Sequence, residues 1–156
     1  MRFFLCKTMS SYRQILYHII IRTKDSKRTL FKEGNERLFA YIIGIARNKN
    51  CFVYRINGTD DHIHILSDLH PSAALADYVR DIKTATSLWL KQQKEFNLFE
   101  AWSEGYAAVT CSYKDKGRLI EYIINQQDHH KKETFIDEYR RLLIEEGIEI
   151  NEKFFP

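Results

Sequence analysis

The sequence predicts an α+β domain with the ferredoxin-like split βαβ arrangement: an antiparallel sheet with helices on one face, followed by a C-terminal, tyrosine-bearing helix. The predicted elements run in the order strand, helix, strand, strand, helix, strand. A tight turn at Asn57 and Gly58 joins the second and third strands as a hairpin. No linker rich in Pro, Gly or Ser, internal repeat or low-complexity segment interrupts this order. We therefore expect one sheet and one core.

The composition of the 156 residues is that of a single globular domain. Hydrophobic residues make up 44% and aromatic residues 13%, which excludes an intrinsically disordered chain. The net charge of +3 permits a polyanionic partner without requiring one. No apolar run approaches the roughly 20 residues of a membrane span, so we expect no membrane partner. We expect residues 1–9 to be an upstream extension that need not be ordered, and residues 10–156 to form the domain.

The cysteines limit the kinds of site that the chain can build. Cys6, Cys51 and Cys111 are odd in number, widely spaced and free of Cys-x-x-Cys spacing. Neither a disulfide framework nor a thiolate zinc site is indicated. We expect a reducing, cytoplasmic setting.

Four segments rich in β-branched and aromatic residues predict the strands. They cover residues 12–23, 51–56, 62–67 and 106–112. In the first, odd positions such as Ile19 and Ile21 face one side of the sheet, and even positions such as His18 and Ile20 face the other.

Apolar residues at helical spacing predict four helices. They are residues 34–48, a long helix opened by Pro71 and Ser72, residues 115–129, and residues 135–146. The last of these ends at Gly147, as expected for a residue that readily closes a helix.

His62, Ile63 and His64 form the motif around which the chain is organised. Side chains on a strand alternate between faces, so the two histidines point the same way while Ile63 and Ile65 enter the opposite layer. Two adjacent imidazoles can hold a divalent cation and leave coordination positions for other ligands. The alternative is a pair of polar residues on a solvated strand face.

The helix over residues 115–129 carries a second pair of interest. Tyr122 and Gln126, four residues apart, project together from the flank of its apolar stripe. His129 falls on the same flank, and His130 turns back toward the stripe. Tyr122 could simply pack on the sheet, and His129 and Lys131 could simply be cations that suit a helix C-terminus.

Together the two pairs predict a metal site facing a hydroxyl nucleophile. A phenol has a pKa of about 10 and is a poor nucleophile at neutral pH. A cation that polarises a phosphate would allow the phenol to attack it. The resulting phosphotyrosine keeps the energy of the phosphodiester, so a 3′-hydroxyl can later rejoin the strand.

The order of these motifs resembles a known family. Four stretches of the chain resemble the HUH (His, hydrophobe, His) single-tyrosine transposases of small insertion sequences. They are His62-Ile63-His64-Ile65-Leu66, residues 75–89, the run from Trp102 to Tyr106, and the run from Tyr122 to His130. That group includes the REP-associated tyrosine transposases. The resemblance covers residues 10–155. Ser103 replaces the usual glutamine and Ala107 a common glycine, which affects substrate fit more than chemistry.

The resemblance implies a role for each site residue. His62, His64 and Gln126 would be metal ligands, and Tyr122 would form a 5′-phosphotyrosine on single-stranded DNA. The metal would be Mg²⁺ or Mn²⁺, hard cations that suit nitrogen and oxygen ligands. The protein would be a homodimer, commonly with the tyrosine helix of one subunit completing the histidine site of the other. It would recognise a DNA hairpin in the bacterial or archaeal cytoplasm, at the nucleoid.

Basic residues provide candidate DNA contacts, for which solvation is the simpler explanation. The candidates are Lys24, Arg28, Lys83, His129 and Lys131.

Two other functions stay open at this point. One is a non-catalytic, domesticated protein that binds a hairpin without cutting it. The other is a housekeeping nickase of repeated palindromes, which only genomic context separates from a transposase.

Overall fold

A four-stranded antiparallel sheet organises the molecule. The computed structural model describes residues 12–156. Its strands are β1 (Leu16–Arg22), β2 (Phe52–Gly58), β3 (His62–Asp68) and β4 (Ala107–Cys111). They lie in the order β2-β3-β1-β4, and every neighbouring pair is antiparallel. This confirms the predicted ferredoxin-like arrangement, and it puts β3 between two hydrogen-bonded neighbours.

Two long helices cover one face of the sheet. They are α1 (Lys32–Asn48) and α2 (Leu75–Lys91). The isoleucines at odd positions of β1 and β3 enter the core beneath them, where Leu38, Ile42 and Ile82 are buried. The predicted alternation is confirmed, because Ile63 and Ile65 lie in this layer. The hydrophobic effect of this burial is the main force that holds α1 and α2 on the sheet.

Three shorter helices follow β4 in the chain: α3 (Lys116–Ile124), α4 (Gln126–His129) and α5 (Phe135–Glu145). Ile123 of α3 packs against Leu16 and Leu66, and Phe135 of α5 packs against Ile20. These helices therefore cover the face that carries His62 and His64. The sheet is enclosed by helices on both sides.

Several predicted element ends are wrong by a few residues. Strand β1 begins at Leu16, since residues 12–15 form no ladder. Helix α2 begins at Leu75 rather than Pro71, because the Ala73 N–H closes a turn on the His70 carbonyl and delays the helix. The predicted extension at residues 1–9 lies outside the described residues. None of the helices within residues 12–156 has the length and apolarity that a membrane crossing needs.

Glycine is required at the end of β2 for steric reasons. A Cβ at Gly58 would lie 2.2 Å from the His62 carbonyl oxygen and 2.9 Å from the Ile63 Cα. Both of these are backbone atoms, which cannot turn aside as a side chain can. At Gly44, in the middle of α1, a Cβ would meet nothing within 4 Å.

We expect opposite effects of alanine at these two glycines. Gly58→Ala should lower the free energy of unfolding by about 1–3 kcal/mol, because the added methyl overpacks the hairpin. Gly44→Ala should raise it by about 0.5–1 kcal/mol, because alanine is the better helix former and space is available. Urea unfolding followed by circular dichroism measures both. Equal effects of the two substitutions would contradict this account of the hairpin.

Candidate active site

The two histidines of β3 lie fully buried on the face beneath α3, α4 and α5. His62 and His64 each have no exposed surface, and their ring centroids are 5.0 Å apart. His18 of β1 lies on the same face and stacks on His64 at 5.1 Å. Phe135 stacks on His62 at 4.1 Å. The alternative of polar residues on a solvated strand face is therefore wrong.

One nitrogen of each imidazole, Nδ1, lies within hydrogen-bonding distance of a neighbouring side chain. Nδ1 of His62 lies 2.6 Å from Oδ1 of Asp61, and a carboxylate can only accept, so this nitrogen carries the proton. Nδ1 of His64 lies 2.8 Å from Nε2 of His18. In a neutral imidazole whose Nδ1 donates, Nε2 keeps a lone pair. Nε2 of His62 is then available to a cation, and so is Nε2 of His64 in the tautomer whose Nδ1 donates to His18; Nε2 of His64 is buried without any hydrogen-bond partner.

Burial keeps the His64 and His18 imidazoles neutral. Removal from water lowers the pKa of His64 to about 4 and that of His18 to about 3. The neutral imidazole is the form that binds metals.

Tyr122 and Gln126 meet the histidines from the helical layer. The amide oxygen of Gln126 lies 3.3 Å from Nε2 of His62, and Gln126 is fully buried. The ring of Tyr122 lies 6.1 Å from that of His64, in the same chain. The structure thus brings together the four residues that the sequence singled out: His62, His64, Tyr122 and Gln126.

The prediction of a single helix over residues 115–129 is wrong, because the helix is interrupted at Asn125, between α3 and α4. The side-chain amide of Asn57, at the end of β2, donates to the carbonyls of Ile123 and Ile124, both at 2.9 Å. Gln127 in turn donates to Asn57 and to the Gly58 carbonyl. These bonds satisfy the last carbonyls of α3 without further helix. Tyr122 and Gln126 still face the site from the two sides of the break.

Glu138 of α5 is a site residue that the sequence analysis missed. It is 1% exposed, yet its carboxylate meets polar groups from several elements. Oε1 accepts the Tyr122 hydroxyl and, at 3.1 Å, the Gln126 amide N–H. Oε2 accepts from Nε2 of His130 at 2.8 Å. Of the two adjacent histidines, His130 therefore contacts the carboxylate, whereas His129 stacks on the Tyr122 ring at 4.7 Å.

The sequence does contain a signal for Glu138. Phe135, Tyr139 and Leu142 form the buried stripe of α5, with spacings of four and three residues, and all three pack on the same cluster. Glu138 falls within this stripe, where a charged residue needs partners. Arg141 was missed as well; its Nη2 donates to the Tyr122 oxygen at 3.4 Å.

The surroundings shift the pKa values of Glu138 and Tyr122 in opposite directions. Burial acts to raise the pKa of Glu138, but the hydrogen bonds from His130 and Tyr122 together with the neighbouring His64 outweigh burial and hold the pKa well below its usual range. Burial and the negative charge of Glu138 raise the pKa of Tyr122. The site therefore holds a carboxylate beside a protonated phenol.

The donor set fits a divalent cation. One ligand atom each from His62, His64 and Glu138 lies within 4.8 Å of the others. The amide oxygen of Gln126 faces the same space, as its distance to His62 indicates. Imidazole nitrogens with carboxylate and amide oxygens suit Mn²⁺ and, through the oxygens, Mg²⁺. The unpartnered Nε2 of His64 is the kind of buried atom that a cation would satisfy.

The candidate DNA contacts lie in different places. Arg28 and Lys131 line a cavity of about 710 Å³, together with Lys32 and Lys132, and Asp61 and His130 connect this cavity to the site. Lys24 lines a second cavity beside the C-terminal tail. Lys83 lies elsewhere, and its ammonium donates to the carbonyls of Glu104 and Gly105 at 3.0 and 3.1 Å.

This fold also occurs among solved structures of other proteins. A transposase from Deinococcus radiodurans has a TM-score of 0.56 and 24% identity, over 77% of this chain and 97% of its own. A REP-associated tyrosine transposase bound to a REP hairpin has a TM-score of 0.59 and 17% identity, over 78% of this chain and 74% of its own.

Sequence relatives point the same way. The transposase of insertion sequence IS200 from Salmonella typhimurium is 23% identical over 120 residues, which cover 74% of this chain and 78% of that protein. The ISDra2 transposase TnpA from Deinococcus radiodurans is 27% identical over 121 residues, covering 74% and 86%. The family model described as IS200-like transposase matches residues 11–126, a span from before β1 to Gln126 that includes both histidines and Tyr122. The chain belongs to the IS200-like transposase family.

Proposed function

We propose that this transposase cleaves and rejoins single-stranded DNA through a 5′-phosphotyrosine on Tyr122, with Mg²⁺ or Mn²⁺ as its cofactor. The observation that carries the proposal is the convergence of one hydroxyl, two imidazoles and an amide within one buried site of one chain. Family membership supports a DNA-processing enzyme. A decayed, non-catalytic hairpin binder would have no need to keep this set together.

The residues divide the chemistry between them. Nε2 of His62, Nε2 of His64 and the Gln126 amide oxygen would hold the cation, which supplies Lewis-acid polarisation of the scissile phosphate. Asp61 orients the His62 ring by contacting its Nδ1, and His18 orients the His64 ring in the same way. The Tyr122 oxygen attacks phosphorus and loses its proton to the surroundings. The 3′-oxygen leaves and takes a proton, so one P–O bond forms as another breaks.

The cavity that Arg28 and Lys131 line supports a path for the DNA strand. Four basic side chains on its walls can contact phosphates without reading bases. The likeness to a transposase bound to a REP hairpin supports a hairpin as the substrate feature that is recognised. Because its proposed substrate is DNA, we propose that the protein acts at the nucleoid of its cell.

Replacement of Tyr122 tests the nucleophile. With a labelled single-stranded hairpin oligonucleotide from the element's end, Tyr122→Phe should lower covalent adduct formation at least about 1,000-fold, because no other group replaces the attacking oxygen. The exposed Tyr113, near the end of β4, provides the matched control, and Tyr113→Phe should leave the adduct unchanged. Denaturing gel electrophoresis measures the adduct. DNA binding without an adduct in the native protein would instead favour the binding-only function.

Removal of the metal tests the histidine pair. Chelation with EDTA should abolish the adduct, and Mg²⁺ or Mn²⁺ should restore it. His64→Ala should prevent this restoration, because it removes one ligand nitrogen. His70→Ala, which removes a ring that bonds to neighbouring Ser72, is the control. Full activity in EDTA would contradict the metal requirement.

We also propose a homodimer, in which the placement of the tyrosine helix can be tested by mixing. Within this chain, Tyr122 lies on the histidine pair of its own subunit. A mixture of Tyr122→Phe and His64→Ala subunits should then stay inactive in cleavage, since neither subunit has both groups. If subunits shared their sites, the mixture would recover activity, because one composite site of each heterodimer would be complete. Gel filtration establishes that the subunits are dimeric, and native mass spectrometry, which resolves the two variants by mass, establishes that they have mixed.

A further inference from the structure

Glu138 lies beyond the residues that the family model matches. The match ends at Gln126, whereas Glu138 lies twelve residues later, in α5. Its side chain is nevertheless 1% exposed, and it contacts Tyr122, Gln126 and His130. A carboxylate buried this deeply needs a function or full compensation.

The distances around Glu138 are those of ligands that share one ion. Two atoms that each lie about 2.1 Å from a cation are about 3.0 to 4.2 Å apart when the angle between them is 90° to 180°. Oε2 of Glu138 lies 3.5 Å from Nε2 of His62, and Oε1 lies 3.7 Å from Nε2 of His64. The Gln126 amide oxygen lies 3.3 Å from the same nitrogen of His62. These three separations fall in this range, and the first two are too long for good hydrogen bonds. The whole set of ligand atoms from His62, His64 and Glu138 lies within 4.8 Å, so a shared ion would draw the set slightly closer together.

The orientation of these groups also favours a cation between them. With Nδ1 of His62 donating to Asp61, its Nε2 presents a lone pair to the oxygens of Gln126 and Glu138. Groups that can only accept then face one another in a buried space. A cation among them would bind the lone pairs that face this space.

We propose that Glu138 is a further ligand of the divalent cation, and that without the cation its carboxylate restrains the nucleophile by accepting the Tyr122 hydroxyl. This inference rests on the metal site of the proposed function. The oxygen that accepts the Tyr122 hydroxyl, Oε1, is also the one that faces Nε2 of His64 at 3.7 Å. Binding of the cation and the bond to Tyr122 therefore compete for one carboxylate. His130 holds the other oxygen and keeps the side chain in place.

Competition of this kind is reciprocal. If the cation weakens the bond between Tyr122 and Glu138, loss of that bond must strengthen cation binding by the same factor. A carboxylate also adds a negative charge that two imidazoles and an amide lack, and this charge favours hard cations. The two effects predict changes of opposite sign in two variants of one site.

The test is a titration of the full chain with Mn²⁺ alone, without DNA, by isothermal titration calorimetry. Glu138→Gln keeps the shape of the side chain and should weaken Mn²⁺ binding at least about tenfold. Tyr122→Phe frees the carboxylate and should tighten binding about fivefold or more. Glu145→Gln removes a glutamate from the exposed end of the same helix and should bind as the native chain does. Circular dichroism establishes that each variant is folded.

The outcomes separate this inference from the proposed function. If the native chain binds no Mn²⁺, the metal requirement of the proposed function fails as well. If the native chain and Glu138→Gln bind Mn²⁺ equally, Glu138 is not a ligand, and the proposed function stands without it. Unchanged binding in Tyr122→Phe overturns the competition. Tighter binding in Tyr122→Phe supports it even if Glu138→Gln does not fold, because misfolding cannot strengthen a site.

Discussion

The complete burial of two imidazoles at the centre of the sheet is the constraint on which the rest of the structure depends. A buried polar group without a partner costs about 1–3 kcal/mol, so His62 and His64 dictate what can lie around them. Their Nδ1 atoms are satisfied by groups of the sheet and its hairpin, Asp61 and His18. Their Nε2 atoms face α4 and α5, whose polar residues turn inward. A face that could have been a second apolar core therefore holds a cluster of buried polar groups.

Local rules of the sequence account for much of this arrangement. The alternation of strand side chains separates the two histidines from Ile63 and Ile65, and it holds because β3 is paired on both sides. The spacing of four residues brings Tyr122 and Gln126 together despite the break at Asn125. These features depend on neighbours in the chain, which is why the sequence alone could predict them.

Contacts between distant segments account for what the sequence could not predict. Glu138 reaches His64 from 74 residues away, and only the packing of α5 on the sheet brings them together. Its position in an apolar stripe indicates burial but names no partner. The break after α3 depends in the same way on Asn57, a residue of another element. Helix α2 starts later than predicted because the proline and serine that precede it form a turn instead of its first residues.

The bonds at Asn57 have a consequence for how the tyrosine can move. Asn57 is the register partner of His64 in the β2–β3 ladder, so the end of α3 is tied to the strand pair that carries the histidines. The side-chain amides of Asn57 and Gln127 join the end of β2 to the chain around Asn125, and α3 cannot leave the sheet while these hydrogen bonds persist. The position of Tyr122 relative to His64 is therefore set by the side chains of two amide residues, Asn57 and Gln127, and not only by apolar packing of α3 on the sheet.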